Sequence, residues 1–312
     1  MEKNDKVYVA GHTGLVGSAL LRVLEREGYT SVITRRHNEL DLTRQKDVEV
    51  FFASEKPQYV ILAAARVGGI HANTAYAAEF IYENLAIQTN VIHSAYVSGV
   101  KRMLFLGSAC GYPRECRQPM KEEYLMTGPP ETTNEPYAVA KLAGIKLCQA
   151  YNRQYLTDFI CAIPANIYGP HDRFDPDSSH VIPALIKRFH EAKIRTEEKT
   201  SVWGTGSPHR EFIYADDLAN ACLFLMRYYN GPDVVNIGTG EKVTVKKLAR
   251  MVKDIVGYEG EIAFDPTKPD GMPCKTLDTA RLREAGWRAQ TRLNEGLAQT
   301  YTWYQKERSI TL

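Results

Sequence analysis

The residues best equipped for chemistry in this 312-residue chain are a hydroxyl and a thiol two positions apart. In "GSACGYP", Ser108 and Cys110 follow the apolar run "RMLFL" and stand in a loop bounded by Gly and Pro. A hydroxyl at a strand end can hold a substrate carbonyl by a hydrogen bond. Hydride transfer needs no thiol beside it, so Cys110 raises the question of a second kind of chemistry. Farther on, "PYAVAK" sets Tyr137 and Lys141 four residues apart, one above the other on a helix. An ammonium beside a phenol favours the phenolate and lowers a pKa of about 10 toward neutrality, which would make Tyr137 a usable proton donor to a carbonyl. Such a pair arises by chance, and this one gains weight from its place after the strand that ends in Ser108.

A second constellation lies near the start. "GHTGLVG" places Gly11, Gly14 and Gly17 directly after an apolar strand and at the opening of a helix. The first glycine permits a tight turn, the second lets the backbone approach a diphosphate, and the third lets helix and strand pack closely. The diphosphate then meets a helix N-terminus, where N–H groups and the dipole favour negative charge. The next strand, "SVIT", runs into Arg35, Arg36 and His37. An acidic residue there would bind the ribose hydroxyls of NAD. Positive charge suits a 2′-phosphate instead, so NADPH/NADP is the expected cofactor, although two arginines on a turn can also be merely solvated. Asp41 and Leu42 follow and are expected near the adenine.

The elements that must carry these residues can be read from periodicity. Strands are expected at 6–11, 31–34, 59–65, 102–107 and 158–166. Helices are expected at 15–28, 44–56, 76–98 and 136–155, the last with Pro in its first turn. This alternation predicts right-handed βαβ units and a doubly wound parallel sheet with helices on both faces. After residue 165 the pattern reads as loop and helix: a polar loop over 169–180, a helix over 181–192, an amphipathic helix over 242–257 and a loop over 264–275. The expected division is a cofactor domain over 1–165, to which a segment at about 205–240 returns, and a smaller, mainly substrate-binding α/β domain over 166–312.

Composition narrows the function classes. Hydrophobic content is 44%, charged content 24% and net charge +2 with signs interspersed, which argues against a polybasic nucleic-acid surface. No apolar run approaches the ~20 residues of a membrane span, and no secretory signal is expected. The six cysteines include no C-x-x-C pair and no zinc spacing, so a cytoplasmic protein with free thiols and no metal is expected. Cys148, Cys161 and Cys222 fall in apolar helix or strand patterns and read as small buried side chains.

Together, "GHTGLVG", the strand ending in Ser108 and Tyr137 with Lys141 resemble the extended short-chain dehydrogenase/reductase family, with its Rossmann-type cofactor domain. Longer segments, among them "AAARVGGIHAN", "NIYGPHDRF", "SSHVIPALIKRFHEA", "VWGTGSPHREFIYADD", "NIGTG" and "KPDGMPCKTLD", are similar to one branch of it from about residue 6 to residue 305. That branch inverts C3 and C5 of GDP-4-keto-6-deoxy-D-mannose and then reduces its C4 ketone with NADPH, giving GDP-L-fucose. The resemblance implies Cys110 as base and His180 as acid for inversion. Both types exchange protons near neutral pH. Ser108 and Tyr137 would steady a C4 enolate oxygen and later assist reduction, with Lys141 tuning Tyr137 and binding the ribose.

The same resemblance implies cofactor contacts from His12, Thr13, Leu15, Val16, Ala63, Ala64, Leu106, Gly107, Pro164, Ala165, Asn166, Ile167 and His180. It implies substrate contacts from Ser108, Cys110, Asn166, His180, Val181, Arg188, Trp203, Arg210, Asp270 and Lys275, and a homodimer built through the helices at 76–98 and from 136. The chain departs from the pattern at Thr13 and His37, where basic residues are usual, and at Gly111, where a bulkier apolar residue is usual. Two rivals stay open at this point: another nucleotide-sugar 4-reductase or 4-epimerase, and a non-catalytic NADP-binding protein.

Overall fold

A computed structural model describes residues 1–175, 179–231, 233–268 and 270–310, the side chains of residues 70, 71 and 310 apart. Part of the polar loop read over 169–180 therefore lies outside the described residues, as does Pro269 of "KPDG".

Short, largely buried apolar strands come first along the chain. β1 (Val7–Ala10), β3 (Tyr59–Leu62) and β4 (Arg102–Leu106) alternate with α1 (Leu15–Arg26), β2 (Val32–Ile33), α2 (Gln45–Glu55), α3 (Ile70–Ala75) and α4 (Ala77–Val97). Then come α5 (Glu135–Tyr155), β5 (Phe159–Pro164) and β6 (Asn166–Tyr168). Every residue of β1, β3 and β5 is buried, as expected of central parallel strands covered on both faces. The second half adds α6 (Val181–Ile194), β7 (Lys199–Trp203), β8 (His209–Tyr214), α7 (Ala215–Tyr228), β9 (Val235–Ile237), β10 (Lys242–Thr244), α8 (Val245–Val256), β11 (Glu261–Asp265), β12 (Cys274–Lys275), α9 (Ala280–Glu284) and α10 (Leu293–Ile310).

The main sheet is parallel, in the order β2-β1-β3-β4-β5-β9. From β1 the chain moves to one side for β2 and returns on the other for β3. The strand order thus reverses between β1 and β3, and a crevice opens there at the strand ends. A second sheet runs β10-β8-β12, with β6 also pairing to β8, and β11 pairs with β7. The apolar core divides accordingly. One part joins Val7 through Ile163 with Ile213 through Ile237; the other joins Tyr168 and residues from α6, α8 and α10.

Three readings change. The helix expected over 242–257 begins only at Val245, because Lys242–Thr244 pairs antiparallel with β8 and Thr244 caps α8 through the Lys247 N–H. The loop expected over 264–275 begins at the end of β11 and finishes in β12. The second half, read as loop and helix, carries short strands whose two to six residues are too few to show a period.

Candidate active site

At the switch point the glycines divide their work. Gly11 has φ +83°, and a Cβ there would lie 2.7 Å from the backbone of Ala64 at the end of β3. A Cβ on Gly17 would overlap the Gly11 carbonyl oxygen, so this glycine lets α1 press onto the turn. Gly14 is the N-cap of α1. It offers no capping side chain, no acid follows in the first turn, and the nearest atom to a Cβ there is 3.6 Å away. An uncapped helix N-terminus under a side-chain-free turn suits a diphosphate. His12 adds a buried Nδ1 with no hydrogen-bond partner among the described residues, its imidazole held below the usual range by burial and by the Arg36 charge. Thr13, Leu15 and Val16 lie in the same turn and helix start, and Ala63 closes it by donating to the Ala10 carbonyl (3.1 Å). These residues fit a dinucleotide.

After β2 the two arginines separate. The Arg35 guanidinium is taken up by Glu55, by the Thr34 carbonyl and by the Phe51 ring. Arg36 is exposed, makes no ion pair among the described residues, and acts on His12. Arg36 is thus the guanidinium available to a 2′-phosphate. Asp41 accepts from the N–H and hydroxyl of Thr43 (3.0 and 2.7 Å), and Leu42 is buried with its carbonyl bonded by Asn90. Thr43 thus orients the Asp41 carboxylate, and Asn90 holds the backbone at Leu42.

The β4 end carries the hydroxyl. Ser108 opens a 3-10 turn over Ala109–Gly111 and accepts from the Cys110 N–H (3.2 Å). Its side chain also bonds Tyr137. Lys141, on the same face of α5, is buried and donates to the Leu106 carbonyl (2.9 Å) between the rings of Phe105 and Tyr137. Here the structure corrects an expectation. Tyr137 is raised above the ordinary phenol range, first by burial and then by Cys110, against the Ser108 bond, while burial pushes Lys141 down to about 8. Burial thus makes Tyr137 a weaker acid than its spacing from Lys141 suggested. Gly107 closes this end by donating to Ala162 (2.8 Å). Gly111 is buried, and a Cβ there would meet Leu142 at 3.0 Å, so the space of a larger residue is already filled.

Two nitrogens converge on the thiol. Asn134 Nδ2 lies 3.1 Å and Lys275 Nζ 3.5 Å from Cys110 Sγ. Asn134 is the N-cap of α5 but makes no capping bond, and its Oδ1 is buried without a partner among the described residues. Lys275 arrives from β12. The segment carrying it is laced to the loop before residue 121 by Met120 N–H to Thr276 O (2.8 Å), Asp278 N–H to Met120 O (2.9 Å) and Thr276 N–H to Gln118 (2.9 Å). Glu211, buried on β8, ties the same segment by accepting from Leu277 N–H and Gly240 N–H (2.7 Å each). His180, the residue before α6, is exposed to solvent yet crowded by protein, as a cleft-lining side chain is. That crowding, with the charges of Lys275 and Arg173, holds its imidazole below the usual range. Lys275 thus acts on both Cys110 and His180.

Around this centre, Lys275 and Arg210 are register partners on adjacent strands. Arg210 is fixed by the carbonyls of His209, Met272 and Asp270 (2.9, 2.6 and 3.0 Å). Arg188 donates to the Ser201 carbonyl, and the Asp270 carboxylate accepts from the Thr205 N–H and hydroxyl (2.8 and 2.7 Å). Trp203 is 57% exposed, with Lys268 over its ring. Val181 begins α6. Pro164 ends β5, Ala165 donates to the Ile237 carbonyl, and Asn166 and Ile167 lie in β6, with Asn166 donating to the Glu211 carbonyl (2.8 Å). Asn134, Arg173 and Glu211 were not singled out from sequence. Only Asn134, an Asn three residues before Tyr137, had a local signal.

The NAD dependent epimerase/dehydratase family matches residues 7–238. GDP-L-fucose synthase 1 of Arabidopsis thaliana is 57% identical over 305 residues, 98% of this chain and 94% of its own. Among solved structures, a GDP-6-OMe-4-keto-L-xylo-heptose reductase from C. jejuni superposes with TM-score 0.94 at 36% identity, covering 98% and 99% of the two chains. A GDP-L-fucose synthetase from Naegleria fowleri bound to NADP superposes with TM-score 0.92 at 27% identity, covering 99% and 96%.

Proposed function

The chain belongs to the NAD dependent epimerase/dehydratase family, and we propose that within it the protein is a bifunctional epimerase–reductase. It converts GDP-4-keto-6-deoxy-D-mannose to GDP-L-fucose, inverting C3 and C5 before reducing the C4 ketone. The observation that carries this reading is a thiol at the Ser108–Tyr137 end of the site, touched by a lysine whose charge also reaches His180. Reduction alone needs neither the thiol nor the imidazole.

Ser108 and Tyr137 hydrogen-bond the C4 oxygen. Protons on C3 and C5 are acidified by that carbonyl, so the Cys110 thiolate removes one, the C–H electrons move onto the C4 oxygen, and that enolate is held by the same two hydroxyls. His180 returns a proton from the opposite face. NADPH, when bound, supplies the hydride for C4. The Gly11–Gly17 turn, His12 and Arg36 would hold it, with Lys141 at its ribose. Tyr137 protonates the reduced oxygen. Arg188, Arg210 and Lys275 bind the GDP diphosphate, where guanidinium forks suit paired oxygens, with Trp203 and Asp270 at the nucleoside. In domain terms, the sheet core serves the cofactor and the smaller core serves the sugar nucleotide.

The protein is proposed to act as a homodimer through the outer face of α4 and α5, where Tyr82, Val97, Val139, Tyr155 and Leu156 are exposed. Light scattering at twice the 35.2 kDa chain mass tests this. Six free cysteines suit the reducing cytoplasm.

The deciding assay mixes the protein with GDP-4-keto-6-deoxy-D-mannose and NADPH, follows loss of reduced nicotinamide absorbance, and identifies the sugar. GDP-L-fucose in step with oxidation supports the reading. The unepimerised deoxy sugar would make it a plain 4-reductase, the alternative suggested by the C. jejuni similarity. Cys110→Ser should stop deuterium entry at C3 and C5 while NADPH still binds.

A further inference from the structure

We propose that Lys275 and Asn134 are positioning residues for inversion: together they donate to the Cys110 sulfur and hold it aimed at the substrate. This rests on the reading of Cys110 as the base, and goes beyond Lys275 as a diphosphate contact.

The argument is one of donors and acceptors. A thiol offers one weak donor and a weak acceptor, whereas a thiolate is an anion that only accepts. Around Cys110 Sγ stand an amide nitrogen at 3.1 Å and a cationic amine at 3.5 Å, both pure donors. Asn134 stands at a helix N-cap without capping the helix. Its amide nitrogen points to sulfur instead, and its Oδ1 is buried without a partner among the described residues. Lys275 makes no ion pair with a carboxylate among the described residues, and its position is fixed from three sides by the Gln118, Met120 and Glu211 bonds to residues 276–278. Such anchoring of a long, flexible side chain's backbone lowers the entropy lost in holding one geometry.

The arrangement also orders the reaction. In the C–H cleavage step, the S–H bond forms as the C–H bond breaks, and the electron pair goes to the C4 oxygen. The negative charge leaves sulfur and passes to the C4 oxygen, where Ser108 and Tyr137 hold it.

The test reads the sulfur directly in the free 312-residue protein. Iodoacetamide alkylation of Cys110 is followed by peptide mass spectrometry from pH 5.5 to 9.5. This separates Cys110 from the half-buried Cys116 and Cys274. Even in the dielectric of water, an ion pair at this separation is worth about sevenfold in an equilibrium. Lys275→Met should therefore lower the alkylation rate near pH 7 by about sevenfold, and Lys275→Arg should restore it. Asn134→Ala should give a smaller loss in the same direction. Unchanged thermal melting and NADPH affinity identify the folded variants. An alkylation profile in Lys275→Met that coincides with wild type, alongside a raised KM for the GDP-sugar, would overturn the proposal and leave Lys275 as a diphosphate contact. Wild-type deuterium exchange at C3 and C5 in Cys110→Ser would instead overturn the base itself, whatever the alkylation profile shows.

Discussion

Replacing Asp172 with Asn should make the protein more stable, and increasingly so as pH rises. Asp172 follows β6 in the stretch that leads to His180. Its Oδ1 accepts from the Arg173 N–H at 2.8 Å, while its Oδ2 is buried with no partner among the described residues. Burial pushes the carboxyl from 3.8 up to about 7, against the bond and charge of Arg173. The folded chain thus keeps a proton that the unfolded chain loses above pH 4. Wherever the folded state binds more protons, stability falls as pH rises. The contribution is therefore intact below about pH 4, declines between 4 and 7, and levels off above. Three pH units and slightly more, at 1.36 kcal/mol each, set a ceiling of about 4 kcal/mol. Relaxation and entering water reduce it, so ~2–3 kcal/mol is the working value. Asn keeps the acceptor for Arg173 and cannot ionise. Urea unfolding of both proteins at pH 5, 6, 7 and 8 should show the gap widening by about 2 kcal/mol toward the variant. A gap independent of pH would refute the reasoning, since it would mean that Asp172 ionises as freely in the folded chain as in the unfolded one.

Three other perturbations follow from the same geometry. Gly17→Ala puts a methyl into the Gly11 carbonyl, a backbone clash that no rotamer relieves, so stability should drop by about 2 kcal/mol or more and NADPH affinity, by fluorescence titration, at least tenfold. In Lys141→Met the buried charge disappears. Wild type, with Lys141 held at about 8 when folded and 10.5 when unfolded, should gain up to ~3 kcal/mol between pH 8 and 10.5, and melts of the variant should lack that rise, while turnover falls by 10² or more. Glu211→Ala removes the acceptor of the Leu277 and Gly240 N–H groups, which should cost about 2–4 kcal/mol in denaturant unfolding and slow deuterium exchange at C3 and C5 by loosening the strand that carries Lys275; Glu211→Gln should lose less.

What the sequence by itself determined was local. The Gly11, Gly14 and Gly17 spacing fixes a turn because only a residue without Cβ fits beside Ala64 and under the Gly11 carbonyl. Tyr137 and Lys141 share a face because a helix repeats every 3.6 residues. The alternation of buried strands and helices is enough for a parallel sheet. Tertiary structure decided what depends on distant partners and on the exclusion of water. Lys275 and Cys110 stand 165 residues apart and meet through the short β12 and the 118–120 loop, neither of which leaves a period in sequence. Lys242–Thr244 is a strand because β8 lies beside it, although its residues continue a helical pattern. The same holds for charge. Spacing alone suggested that Lys141 lowers Tyr137, yet the folded chain raises Tyr137 and lowers Lys141. Both lose their hydration together, and burial opposes the charged form of each more than either charge favours the other.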